Sequence, residues 1–426
     1  MLHKKLLIIT YYWPPAGGPG VQRWLKFVKY LPSFGVQPIV YIPENPTYPI
    51  IDKGLLNQLP KDTIILKKKI FEPYQIASLF YKNKIKNISS GIIPNKKKQS
   101  LLVQFLLWIR GNIFIPDARF LWIYPSVKYL KKYLHNNQIQ TIVTSGPPHS
   151  LHIIGLKLQR ELHLKWIADF RDPWTTIGYH KELKLSDYAQ KRHKKLEYLV
   201  LNAADAIIVT SKTTKKEFQE ITNKPITVIT NGFDIEQIER QDLDSKFSVA
   251  HIGSFLSKRN PKILWESFEE LCLEIEGFKN NLQIKLIGAV SETILQTIAA
   301  FNLNENILNL GYLSHHEALI HQRKSQILLL IEIDSEETKS IIPGKLFEYI
   351  ITERPIIALG PKDADFAEII NKTNTGFFFE YSQKQLLKLK ILTCYNLYLT
   401  QNLKVVPVAL EQYSRENLTF ELTKLL

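Results

Sequence analysis

The stretch Pro343-Gly344-Lys345-Leu346-Phe347-Glu348-Tyr349 carries the residue types most able to do chemistry in this chain. It follows the apolar run Ile327–Ile333 and precedes Arg354-Pro355-Ile356-Ile357-Ala358-Leu359-Gly360. The order predicts a strand, a loop, a short helix, a Pro-marked turn and a second strand. Such a unit opens at the carboxyl edge of a parallel sheet, where α/β folds bind ligands. Backbone N–H groups there favour an anion such as a diphosphate. Lys345 adds a mobile cation, and Glu348, one turn in, is placed to accept hydrogen bonds from a ribose diol. A nucleotide-sugar suits this place. The plain alternative is a capped helix with a surface Lys–Glu pair.

Three further groups follow apolar runs nearer the start. Pro14-Pro15-Ala16-Gly17-Gly18-Pro19-Gly20 succeeds the first strand-like segment, and its glycines let backbone approach a ligand and adopt positive φ. The spacing is not G-x-G-x-x-G, which argues against a nicotinamide enzyme. Gly17, Gly18 and Arg23 are the candidates here, against a simple connecting turn. In Ser145-Gly146-Pro147-Pro148-His149-Ser150, Ser150 suits an N-cap and His149 stands where a strand-end ligand contact would be. Ala168-Asp169-Phe170-Arg171-Asp172-Pro173-Trp174 places two carboxylates and a guanidinium at a strand end. Buried unpaired charge is costly, so these groups pair with each other, face water or face a polar ligand.

Taken together, these motifs resemble retaining glycosyltransferases of family 4, which have the GT-B fold. Family 4 carries Glu-x7-Glu, whose second Glu binds the nucleotide ribose; Glu348 matches it, while the first position falls on Ser340, with Glu336 or Glu337 as other carboxylates nearby. The segment Gly253-Ser254-Phe255-Leu256-Ser257-Lys258-Arg259 is similar to the family's Gly-Arg…Lys-Gly, in which two cations clamp the donor diphosphate. Arg259 matches the second cation. The first lands on Ser254, with Lys258 as a substitute. By the same resemblance, Pro343, Gly344 and Leu346 lie with Lys345 in the donor site, and Gly311 and Tyr312 lie beside the nucleobase. Gly17 and Gly18 line the cleft opposite the phosphates. Asp169 and Arg171 orient donor and acceptor hydroxyls, Arg171 standing where the family has a His, and His149 and Asp172 contact the acceptor. The Asp-Phe-Arg-Asp-Pro-Trp string is similar to a bacterial subgroup making polysaccharides and lipopolysaccharides. The resemblance implies transfer of a sugar from a nucleotide diphosphate to a lipid-linked or saccharide acceptor, with retention. Arg259 and Lys345 would neutralise the leaving diphosphate electrostatically. No metal or other cofactor is then expected. Ser340 and Ser254 motivate a rival, a non-catalytic nucleotide-sugar-binding subunit. A GT-B sugar-nucleotide epimerase is another.

These motifs need two series of elements to position them. The first alternates strands Lys5–Thr10, Pro38–Pro43, Thr141–Ser145, Lys165–Phe170, Ala206–Thr210 and Ile226–Thr230 with helices, interrupted by an irregular, basic region Glu44–Leu134. The second runs through strands Ser248–Ile252, Gln283–Ile287, Ile307–Leu310, Ile327–Ile333, Ile356–Leu359 and Gly376–Phe379. The runs are continuous and β-branched, as strands buried on both faces are. The expected fold class is α/β, two Rossmann-like doubly wound domains facing a cleft. The expected division is residues 1–234, a linker 235–246, a donor domain 247–408 and a C-terminal helix 409–426, which the family resemblance implies returns to the first domain.

Composition narrows the class further. At 426 residues the chain exceeds one ordinary core. Its two cysteines, Cys272 and Cys394, are too few for a disulfide framework and suit a reducing cytoplasm. The apolar start at Leu6 is too short for a signal peptide and reads as a buried strand. A net charge of +15 implies an anionic partner. From Pro73 to Pro116 there is no Asp or Glu, while Lys82, Lys84, Lys86, Lys96, Lys97, Lys98 and Arg110 all fall there, beside the Trp108-bearing run Leu101–Ile109. That combination suits the anionic inner face of the cytoplasmic membrane, or a basic loop leading into a core helix. Nucleic acid is not expected, since no binding motif accompanies the charge.

Overall fold

In the computed structural model, residues 4–72, 101–178, 180, 183–234 and 241–426 are described. The chain divides into two compact units, Met1–Asn231 with Arg415–Leu426, and Gly232–Ser414. Each is built on one parallel sheet. The first holds β1 (Lys4–Ile9), β2 (Val36–Pro43), β3 (Ile64–Lys68), β4 (Thr141–Gly146), β5 (Lys165–Phe170), β6 (Ala206–Val209) and β7 (Ile226–Val228), in the order β3-β2-β1-β4-β5-β6-β7. The second holds β8 (Phe247–Ile252), β9 (Leu282–Ile287), β10 (Ile307–Gly311), β11 (Ile327–Ile331), β12 (Ile356–Gly360) and β13 (Gly376–Glu380), in the order β10-β9-β8-β11-β12-β13. Every pairing is parallel. These are two Rossmann-like doubly wound domains.

The continuous apolar runs follow from burial on both faces of each sheet. In β1, Leu7 and Ile9 enter one core while Leu6 and Ile8 enter the other. In β11, Ile327, Leu329 and Ile331 pack on one side, Leu328 and Leu330 on the opposite side. Strand order reverses between β1 and β4 in the first sheet and between β8 and β11 in the second. Ligand crevices in open α/β sheets form at such reversals, outside the carboxyl ends of the strands. The glycine loop follows β1 and the Pro147–His149 turn follows β4. Gly253–Arg259 follows β8, and the segment leading to Lys345 follows β11.

The interval Glu44–Leu134 is less irregular than its composition suggests. It contains β3 and the helices Leu101–Asn112 and Ile123–Asn136. β3 is a partly exposed edge strand ending in Lys67 and Lys68, so it lacks the apolar signature of its neighbours. The helix Lys384–Leu399 has no counterpart in the expected series. Its buried Leu387, Ile391, Cys394 and Tyr395 recur at helical spacing, and Lys384 and Lys388 pair with Glu270 of the helix Lys262–Glu274, each at 2.7 Å.

The C-terminal helix Arg415–Thr423 packs in the first unit. Leu418 and Leu422 join the core beneath the helix Pro19–Tyr30, and Arg415 Nη2 donates to Gln22 Oε1 at 2.9 Å. Truncating the fully buried Leu422 to Ala should therefore destabilise the first unit by roughly 2–5 kcal/mol, the usual cost of such a cavity. Chemical denaturation followed by tryptophan fluorescence, dominated by the first unit because only Trp265 of the seven tryptophans lies in the second, would read the loss; an unchanged midpoint would mean the helix is not integral to that unit.

Candidate functional site

In the second unit, β8 ends in Gly253, whose φ of +108° is a conformation that L side chains rarely adopt. Gly288, after β9, approaches so closely that a Cβ on it would lie 2.6 Å from the Gly253 carbonyl oxygen. The turn beyond carries Arg259, half-buried, and its guanidinium makes a bidentate pair with Glu332. Nε donates to Oε1 and Nη2 to Oε2, both at 3.1 Å. Glu332, directly after β11, is only 1% exposed, and its Oε1 also accepts the Ile333 N–H at 2.9 Å. Lys258 is exposed.

Lys345 begins the five-residue helix Lys345–Tyr349, whose Leu346, Phe347 and Tyr349 are buried. The expectation of a mobile cation is corrected. Its Nζ is fixed 3.0 Å from His251 Nε2 and 3.0 Å from the Ile252 carbonyl oxygen. Burial and the Arg259 guanidinium push its ammonium down to about 7, against the opposite pull of Glu332 and Glu348. Burial, Lys345 and Arg259 together hold the His251 imidazole well below its usual range, so that ring is neutral at physiological pH. Glu348 is half-buried with both oxygens engaged: Gln322 Nε2 donates to Oε2 at 2.8 Å, and His315 Nε2 lies 3.1 Å from Oε1. Pro343 and Gly344 are half-buried in the turn before the helix, and Ser340 lies in the same connection. Glu336 pairs with Lys339 at 2.7 Å. Gly311 ends β10 with φ +65°, and its carbonyl accepts the Gly288 N–H at 2.6 Å. Tyr312 is 90% exposed.

In the first unit, Asp169 is an anchor rather than a group facing substrate, which corrects the expectation that it orients hydroxyls. It is fully buried at the end of β5 and accepts from Arg23 Nη2, Trp24 Nε1 and Ser145 Oγ, each at 2.8 Å, and from Arg23 Nε at 3.3 Å. Burial alone would raise its carboxyl, but the Arg23 guanidinium and the hydrogen bonds from Ser145 and Trp24 outweigh it and hold the group below the usual range. Arg23 is consumed in the same network, with Nη1 donating to the Thr230 carbonyl at 2.8 Å.

Arg171 lies across two loops. Its Nε donates to the Gly146 carbonyl at 3.3 Å, its Nη2 donates to the Pro147 carbonyl, and its guanidinium lies over the Tyr12 ring at 5.6 Å. Gly20 makes room for it, because a Cβ there would fall 1.7 Å from Arg171 Nη1. Gly17 is packed tightly: its N–H donates to the Ile50 carbonyl at 3.0 Å, and a Cβ would come 2.9 Å from Ile50 Cγ2. Gly18, with φ +103°, has open space where a Cβ would be. Asp172 is half-buried beside Arg171 with no hydrogen-bond partner among the described residues, and burial raises its carboxyl despite that cation.

His149, expected to contact the acceptor, lies in the turn after β4. Both ring nitrogens are buried without hydrogen-bond partners, and the ring stacks on Trp174 with centroids 4.5 Å apart and planes 3° apart. Burial, with His152, His180 and His193 close by, holds it neutral. It packs in an aromatic cluster with Trp174, Phe170 and His152. Among the described residues no group of three or more His, Cys, Asp or Glu converges to hold a metal ion.

Residue-level reading missed His251, Glu332 and Gly20. Glu332 had a signal, since a carboxylate directly after the buried run Ile327–Ile331 requires a partner. His251 lay inside the buried strand β8, where a histidine without a visible partner looks like core.

Residues 94–237 match the family described as Glycosyltransferase Family 4. Among curated proteins, none matches the sequence. Solved structures similar to the chain include a glycosyltransferase from Rickettsia africae ESF-5, at 15% identity and TM-score 0.61, covering 99% of this chain and 97% of that one. The lipopolysaccharide outer core galactosyltransferase WaaB in its apo form is 12% identical, with TM-score 0.60 and 99% of each chain covered. Anabaena HepE in complex with UDP is 13% identical, with TM-score 0.58, covering 99% of this chain and 95% of that one. The fold is that of the GT-B glycosyltransferases, and the resemblance to family 4 holds.

The Asp169 network makes a direct prediction. Asp169→Asn should destabilise the first unit by roughly 3–5 kcal/mol, because it leaves the buried Arg23 cation uncompensated. A carboxyl depressed in the folded state stabilises at pH above its unfolded value and loses that contribution as pH falls through the folded one. The wild-type advantage over Asp169→Asn should therefore shrink as the medium is made acidic below about pH 4. Denaturant titrations of both proteins across that range check it; a gap independent of pH would remove the charge pair as the cause.

Proposed function

We propose that the protein is a retaining glycosyltransferase, moving a sugar from a nucleotide diphosphate donor to a lipid-linked or saccharide acceptor in cell-envelope polysaccharide or lipopolysaccharide synthesis. The observation that carries this is the pair of cations at the carboxyl edge of the second sheet. Arg259 is fixed by Glu332, and Lys345 is fixed under the bare backbone of Gly253. The family 4 match and the likeness to a lipopolysaccharide galactosyltransferase and to a UDP complex support the reading.

In this mechanism the bond from the sugar's anomeric carbon to the diphosphate oxygen breaks, and the acceptor oxygen bonds to that carbon on the same face. The acceptor's proton passes to the departing phosphate. Arg259 and Lys345 stabilise the charge that develops on the leaving group, the kind of preorganised electrostatic help that dominates many active sites. No protein nucleophile is used. Glu348 holds the ribose, sharing its carboxylate with Gln322 and His315. Pro343, Gly344 and Leu346 shape the donor turn, Lys258 flanks it, and Gly311 and Tyr312 lie beside the base. Arg171 orients donor and acceptor hydroxyls, Asp172 contacts the acceptor, and Gly17 and Gly18 belong with the donor-binding residues.

Lys345→Ala and Arg259→Ala should each weaken donor binding by roughly 1–3 kcal/mol, as loss of a charge-assisted contact does, and non-additively in the double variant. With these cations serving the leaving group, turnover should persist after chelation by EDTA. Calorimetry and a chelated activity assay check both. Unchanged affinity in each single variant would remove these residues from the donor site, and activity abolished by EDTA and restored by magnesium would replace cationic leaving-group stabilisation with a metal.

We also propose peripheral attachment to an anionic cytoplasmic membrane surface through residues 73–116. Lys82, Lys84, Lys86, Lys96, Lys97 and Lys98 lie outside the described residues. The helix Leu101–Asn112 that follows exposes Phe105 and Trp108. No described helix is long and apolar enough to cross a membrane. Binding to liposomes should require anionic lipid, weaken with salt, and drop when Lys96, Lys97 and Lys98 become Gln or Trp108 becomes Ala. Equal binding to neutral and anionic liposomes would favour a soluble acceptor.

A further inference from the structure

His251, at the carboxyl end of β8, is fully buried, its ring stacked on Phe255 with centroids 4.0 Å apart and planes 17° apart. Its Nε2 meets Lys345 Nζ at 3.0 Å, while its Nδ1 is buried with no hydrogen-bond partner. Lys345 Nζ donates to the Ile252 carbonyl as well. An ammonium has three N–H donors, so two are directed into the protein. The third is left for the side of Gly253, which is exposed and where even a Cβ would stand 3.9 Å from Nζ.

The charged and titratable groups that act on Lys345 come from each neighbouring element. They are His251 on β8, Arg259 on the turn after β8, Glu332 at the end of β11, and Glu348 on the lysine's own helix. Glu332 is already matched by Arg259, and Glu348 is engaged by Gln322 and His315. Lys345 therefore has only uncharged hydrogen-bond partners among the described residues, beside a like charge. An anion arriving over Gly253 supplies the missing counter-charge.

We propose that Lys345 takes up one proton from solvent as the donor diphosphate binds, and that His251 is the positioning residue that serves both of its protonation states. The inference rests on the donor-site reading above. In the free protein the neutral amine accepts from His251 Nε2–H, and Nδ1 is bare. In the complex the ammonium donates to a bare Nε2, and the ring's proton is on Nδ1. One proton enters in total, and the imidazole stays neutral throughout. Consistent with this, burial and Arg259 already push the free ammonium down to about 7, so near neutrality the site exchanges its proton readily.

The test is calorimetric titration of the full chain with UDP-glucose and, in parallel, GDP-mannose, in buffers of high and low ionisation enthalpy. Close to one proton should be taken up per donor bound at about pH 8.5 and almost none at about pH 5.5, with affinity falling roughly tenfold per pH unit above about 7. Lys345→Arg, which stays charged, should bind without proton uptake at either pH. His251→Phe keeps the stack but removes Nε2, and should weaken binding at the higher pH by roughly tenfold. His251→Gln, whose amide reaches the same place, should restore most of it. Circular dichroism establishes that each variant is folded; if His251→Phe is not, Lys345→Arg and His251→Gln decide. Binding with no proton uptake in the wild type, uptake retained in Lys345→Arg, or a folded His251→Phe with wild-type behaviour would overturn the inference and leave the donor site standing. Binding of neither donor at any pH would overturn the donor-site reading and this inference with it.

Discussion

The second unit depends on one interaction, the bidentate pair between Arg259 and the buried carboxylate of Glu332. Two cations at one sheet edge repel each other, and Lys345 is depressed partly by Arg259. Glu332 makes their proximity tolerable. It neutralises one cation, fixes the guanidinium plane, and is itself held by the Ile333 N–H. The other cation is left with uncharged partners and an open side. A preorganised anion site needs donors that cost no rearrangement when charge arrives, and here the strand ends supply that rigidity.

The first unit uses the same device for a different end. Asp169, like Glu332, is a carboxylate at the carboxyl end of a central parallel strand, and it too grips an arginine through two nitrogens. Arg23 is wholly enclosed, so the pair ties the helix Pro19–Tyr30 to β5 and fixes the glycine loop that precedes that helix. Arg171, two residues beyond Asp169, is held instead by carbonyls after β4 and by the gap at Gly20. A strand-end carboxylate in each unit thus positions basic residues around the switch point of its sheet. In the first unit the paired arginine is structural; in the second it remains partly exposed.

Much of this was legible in residue order. Runs such as Leu6–Ile9 and Ile327–Ile331 mark strands buried on both faces because no polar side chain interrupts them, and the motifs fall at their carboxyl ends. The edge strand β3 was hidden because partial exposure admits lysines. The helix Lys384–Leu399 carried a helical apolar spacing at Leu387, Ile391 and Cys394 that went unread among its lysines. The surroundings of Asp169 and His149 were harder to read. Whether a carboxylate or an imidazole faces a ligand or the core depends on partners far away in sequence, and Arg23 is 146 residues from Asp169. Lys345 shows the same limit: its identity as a cation was plain, but its fixation by His251, 94 residues earlier, was not.

The most direct test is a crystal structure of the protein with UDP bound. The phosphates should lie over Gly253, with oxygens about 3 Å from Lys345 Nζ and from the Arg259 guanidinium, while the Arg259–Glu332 pair stays intact. A nucleotide seated elsewhere, or one that must break that pair to bind, would contradict the assignment of this sheet edge as the donor site.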